Sequence, residues 1–186
     1  SEVEELDKRL RDHVRRDEEI VERLIRELKR HVERDREEAR RLIEELRRLL
    51  EEVKRMMEDD SREDDVRRLL EEVRELVARI IERAEDSLRS NEDLVRKIEE
   101  RLRRSLKSNR DLVKEIKKIL DRDLREDRKL VRDVEKSLEE SIRRSEETLK
   151  TVKDVLDKSK EDSKRTVEDV ERVLREAEKE AKRATD

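Results

Sequence analysis

His13 and His31 are the only histidines in this chain; they stand 18 residues apart, and each is followed four residues later by an aspartate, Asp17 and Asp35. On an α-helix that spacing puts imidazole and carboxylate on one face. Serines and asparagines recur at the same interval further along, as Ser87 and Asn91, then Ser105 and Asn109. The last third adds Ser137, Ser141, Ser145, Ser159 and Ser163. His, Asp and Ser brought together could make a nucleophile relay. That chemistry also needs an exposed nucleophile, an oxyanion hole and a pocket, for which straight helices without a strained turn offer no material. His/Asp pairs could begin a metal site, but zinc wants four N, S or carboxylate ligands, and the neighbours here are Ser and Asn. The two histidines lie ~27 Å apart by helix rise, too far to share an ion. No catalytic, cofactor or metal residue is therefore assigned, and an enzyme is not expected.

All of these residues fall on apolar stripes. In the first third the stripe runs through Leu6, Leu10, Val14, Val21, Leu24, Ile25, Leu28, Val32, Ala39, Leu42, Ile43, Leu46, Leu49, Leu50, Val53 and Met57. A polar side chain on such a stripe costs free energy unless it hydrogen-bonds to another. The reading that follows is of two buried polar layers. One holds His13, Asp17, Ser105, Asn109, Ser137 and Ser141; the other holds His31, Asp35, Ser87, Asn91 and Ser159. Such layers select register and helix pairing at some expense in stability. A pH response is a sharper variant: a neutral His that accepts from Ser or Asn loses that bond on protonation, below about pH 6. Asp17 and Asp35 would oppose it by stabilising the imidazolium.

The elements that must carry these residues show in the 18-residue period. Leu94-Val95-x-x-Ile98 returns as Leu112-Val113-x-x-Ile116 and as Leu130-Val131-x-x-Val134. Looser copies stand at Leu76, Thr148 and Thr166, and Leu24-Ile25-x-x-Leu28 becomes Leu42-Ile43-x-x-Leu46. Eighteen residues over five turns is the pitch of a straight helix; seven would wind it left-handed and eleven right-handed. With no Gly or Pro anywhere, breaks are read from caps. Ser1-Glu2-Val3-Glu4 has the form of a capping box, and Ser61-Arg62-Glu63-Asp64 and Asp123-Leu124-Arg125-Glu126 are near copies. They predict three helices over about 2–58, 62–120 and 124–184, each roughly 90 Å long.

The fold predicted is all-α, an up-down-up three-helix bundle of long (~60-residue), nearly untwisted helices forming a single domain, 1–186. With turns near 60 and 122, residue i of the first helix lies level with about 120 − i of the second. Residue j of the second lies level with about 245 − j of the third. Each histidine then meets Ser/Asn clusters on both other helices.

Composition excludes several classes. Charged residues make up 59% of the 186 and apolar residues 31%, with 53 basic against 57 acidic side chains interspersed for a net charge of −4. That balance argues against a nucleic-acid groove, which needs a basic stripe. Apolar runs are too short to span a membrane. There is no signal peptide at the start and no Cys for redox chemistry. Localisation is not set by the sequence; a soluble, cytoplasmic product is expected on recombinant expression. The absence of Gly, Pro, Cys and every aromatic residue is foreign to natural domains, which carry roughly 7% Gly and 5% Pro.

Capping boxes, 18-residue layers and His/Ser/Asn positions together resemble de novo, parametrically designed helical bundles with buried hydrogen-bond networks, over the whole chain. The resemblance implies a structural scaffold with no natural biochemical activity. Its alternative is a helix–helix interaction module, a component of a homo- or hetero-oligomer or of a switch. At 31% apolar, near the density of a two-in-seven seam, a monomer that requires no partner is expected. Self-association or a designed helical partner is the other outcome, favoured if the helix runs unbroken through residue 123.

Overall fold

The computed structural model of the chain describes residues 2–122 and 128–183, which form three helices: α1 (Glu2–Glu58), α2 (Glu63–Arg122) and α3 (Arg128–Arg183). The capping residues Ser1 and Asp123 to Glu126 lie outside the described residues. Each helix keeps one face apolar over its whole length, as the repeat requires. The chain is a three-helix bundle, all-α among the described residues.

Two compact units divide it: Ser1–Lys29 with Asp93–Leu156, and Arg30–Glu92 with Asp157–Asp186. All three helices contribute a segment to each. In the first unit, Leu10, Ile116 and Val134 belong to one apolar cluster and Leu28, Ile98 and Val152 to another. The second unit has a single cluster, which includes Leu46, Ile80 and Val170 and also Val53, Val73 and Ala177. All twelve of these side chains are at most 2% exposed. They form one-per-helix layers, Leu–Ile–Val three times and Val–Val–Ala once. In every layer the α1 and α2 residue numbers add to 126, and those of α2 and α3 to 250. Constant sums mean antiparallel neighbours, so α1 and α3 run parallel and the order is up-down-up. Along α1 the layers step alternately by eleven and seven residues, the combination that keeps a helix straight.

The turn between α1 and α2 differs from the expected capping box. Asp60 takes a left-handed conformation with φ 51°, and the Ser61 amide donates to the Met56 carbonyl at 3.1 Å. That is the helix-ending bond of a Schellman motif, in which the left-handed position is usually Gly. The first amides of α2, Asp65 and Val66, donate to the Arg62 carbonyl at 3.0 and 3.2 Å, so α2 starts at Glu63 and Ser61 belongs to the turn. Aspartate tolerates this conformation better than most residues, yet still pays for its Cβ. Asp60→Gly is expected to raise stability by ~0.5–1 kcal/mol, read from the urea midpoint at unchanged slope.

Candidate functional site

The polar residues can now be placed. Asn91 is the hub of the second unit. It is 1% exposed, and its Nδ2 donates to Asp35 Oδ2 of α1 at 3.1 Å and to Ser159 Oγ of α3 at 2.9 Å. One amide therefore joins all three helices. Asn109 is its counterpart in the first unit, wholly buried, with Nδ2 donating to Ser141 Oγ at 3.4 Å. Both triads obey the register of the apolar layers: Asp35, Asn91 and Ser159 stand in one, and Asp17, Asn109 and Ser141 in the other. In the first unit this layer falls between the two apolar clusters in all three helices.

This register corrects the one expected from the caps. Facing α1 and α2 residues add to 126, where about 120 was expected, and α2 and α3 residues to 250, where about 245 was expected. The reason is the turn: it occupies residues up to Arg62, which moves the centre of the antiparallel pair toward higher numbers. The consequence is chemical. Asp17 and Asp35, and not the histidines, lie level with Asn109 and Asn91. His13 is displaced by one turn, its side chain 42% exposed, with Nε2 facing Asp17 Oδ2 of its own helix at 3.2 Å. Both atoms are buried and neither has a hydrogen bond, so the contact is an ion-pair approach without hydrogen-bond alignment. His31 is half-buried, as are Ser87 and Ser137, while Ser105 is buried.

Why the two layers differ can be traced to one substitution within the repeat. Asp17 has Arg101 of α2 at 3.7 Å. The copy of Arg101 in the second unit is Arg83, which pairs with Glu38; the copy of Glu38 in the first unit is Ile20. Without an acid at position 20, the guanidinium turns to Asp17. With one at position 38, Arg83 is occupied, and Asp35 takes the Asn91 amide. Arg101 was not singled out from the sequence, where it reads as one exposed arginine among many; its spacing of four from Ser105 was the available signal.

A charged rim joins α1 and α3. Glu18 accepts from Arg144 at 2.9 Å, and in the second unit Arg36 donates to Asp162 at 2.5 Å. These are the same two repeat positions with the charges exchanged. The Arg36 guanidinium is held above its ordinary pKa by that hydrogen bond first and by the charge of Asp162 second. Lys54 is raised by its hydrogen bond and charge interaction with Glu176. A raised basic group stabilises fully below its unfolded pKa and loses that contribution as pH rises through the folded one, so both act only in strong alkali.

Among the described residues no group of three or more His, Asp, Glu or Cys side chains is placed to hold a metal ion. No described helix is long and apolar enough to cross a membrane. No protein-family model matches the chain, and no curated protein matches it. Among solved structures the chain is similar to a "Computationally designed three helix bundle", at 16% identity and a TM-score of 0.38, over 98% of this chain and 85% of that one. A likeness at that score is too weak to transfer any property to this chain.

Proposed function

We propose that this chain is a designed structural scaffold without enzymatic activity, in which two buried polar layers select one pairing and one register of three helices. The observation that carries the reading is Asn91, whose single amide bonds to Asp35 in α1 and Ser159 in α3. Its need follows from the repeat. Leu–Ile–Val layers recurring every 18 residues would tolerate a slip of one helix by 18 residues, because apolar contact has no directional preference. Polar layers remove that tolerance: Asp35, Asn91 and Ser159 have as their next copies Val53, Val73 and Ala177, so a slip sets buried amide and carboxylate against apolar groups. The exchanged charges act in the same sense. Sliding α3 by one repeat would oppose Glu18 to Asp162, or Arg36 to Arg144, and like charges repel.

The serines fit this role better than catalysis. Ser141 and Ser159 accept from asparagine amides, which leaves no histidine poised to take their protons. The chain requires no partner in this reading, and light scattering should give one species near 22.8 kDa. The decisive variant makes both layers apolar with residues the bundle already uses: Asp17→Val, Asn109→Val and Ser141→Ala with Asp35→Val, Asn91→Val and Ser159→Ala. It should show several oligomers or registers by native mass spectrometry and doubled amide resonances. A single species with one set of resonances would overturn the reading.

A further inference from the structure

The second unit contains a hollow that the repeat explains. Val21 and Leu102, both buried in the first unit, have Ala39 and Ala84 as their copies in the second. Two large side chains are thus replaced by methyl groups, and Ser163 faces them, its Oγ donating to the Ala84 carbonyl at 3.4 Å. The result is a cavity of about 420 Å³ with Leu42, Ile43 and Ile80 in its wall. Arg83 and Arg165, largely exposed, line it too and place its mouth at the surface. Its size is that of a small organic ligand.

A second cavity, of about 260 Å³, shares Asp35 and Ser87 with the first. Its other lining residues are His31, Asp86, Ser90 and Asn91, with no Lys or Arg among them. Asn91 is the informative one. Its Nδ2 bonds to a carboxylate, which can only accept, so the amide orientation is fixed. Its Oδ1 is then a buried acceptor with no partner. A group that would satisfy it must donate, and the neighbouring Asp35 and Asp86 favour one that is positively charged. The apolar hollow alongside favours an organic body attached to it.

We infer that the second unit binds a small primary amine with an apolar body, its ammonium donating to Asn91 Oδ1 and Asp35 and its body filling the space left by Ala39 and Ala84. The inference does not depend on the polar layers setting register; it needs only the observed Asn91 geometry and the hollow.

The test is fluorine NMR of 4-fluorobenzylamine with the full chain at about pH 8, where an unperturbed histidine is neutral. Saturable broadening is expected. Ala84→Leu, which puts the residue of position 102 into the hollow, should weaken binding at least about tenfold, and Asp35→Asn should do the same through the ammonium. If circular dichroism shows that Ala84→Leu does not fold, Ala39→Val fills the same space. 4-Fluorotoluene, with the ring but no ammonium, should bind at least about tenfold more weakly. No saturation by about 10 mM amine, unchanged affinity in the filled variant, or equal affinity for fluorotoluene would each overturn the assignment.

Discussion

Asn91→Ala is expected to destabilise the protein by ~2–3 kcal/mol, and Asn109→Ala by only ~1 kcal/mol, although both asparagines are copies of one position and both are buried. The difference lies in what each amide holds. Asn91 donates at 3.1 Å to a carboxylate and at 2.9 Å to a hydroxyl, and bonds to charged acceptors are the stronger kind. Its loss leaves Asp35 and Ser159 without their donor inside the bundle. Asn109 makes one long bond of 3.4 Å to a neutral hydroxyl. A companion variant should move the other way. Changing Asp35, Asn91 and Ser159 together to Val, Val and Ala reproduces the layer at Val53, Val73 and Ala177, all fully buried. Removing every partner at once leaves nothing stranded, and a stability gain of ~1–3 kcal/mol is expected. Urea unfolding of the three variants checks this. If Asn91→Ala and the triple change shift the midpoint in the same direction, the layer does not work as an interdependent hydrogen-bonded unit.

Leu28→Ala should have the largest single-residue effect, a loss of ~3–4 kcal/mol. Leu28 is fully buried and shares a cluster with Ile98 and Val152 of the other helices. Truncation removes the transfer free energy of the side chain and leaves a void that straight helices cannot close by bending. Ile98→Val, in the same layer, removes one methylene and should cost ~1 kcal/mol. Thermal or urea unfolding would expose an error directly: a loss below ~1 kcal/mol for Leu28→Ala would mean that the layer is loosely packed.

Much of this architecture can be read without coordinates. The period of 18 marks straight helices, and the stripes mark which face of each is buried. The absence of Gly and Pro concentrates the breaks near 60 and 123. It also places Asp17, Asp35, Asn91, Asn109, Ser141 and Ser159 on the buried faces, because periodicity determines orientation about a helix axis. Periodicity does not determine position along the axis. That was decided by the turn, where Asp60 in a left-handed conformation and the start of α2 at Glu63 set the register at which the helices meet. The histidines show the effect. They share a face with their aspartates, and the axial offset alone makes Asp35 the partner of Asn91 and leaves His13 near the surface. The hollow beside Ala39 and Ala84 is likewise a tertiary result. Each alanine is an ordinary helix residue in sequence, and the missing volume exists only because segments of all three helices bring Ala39, Ala84 and Ser163 around one space.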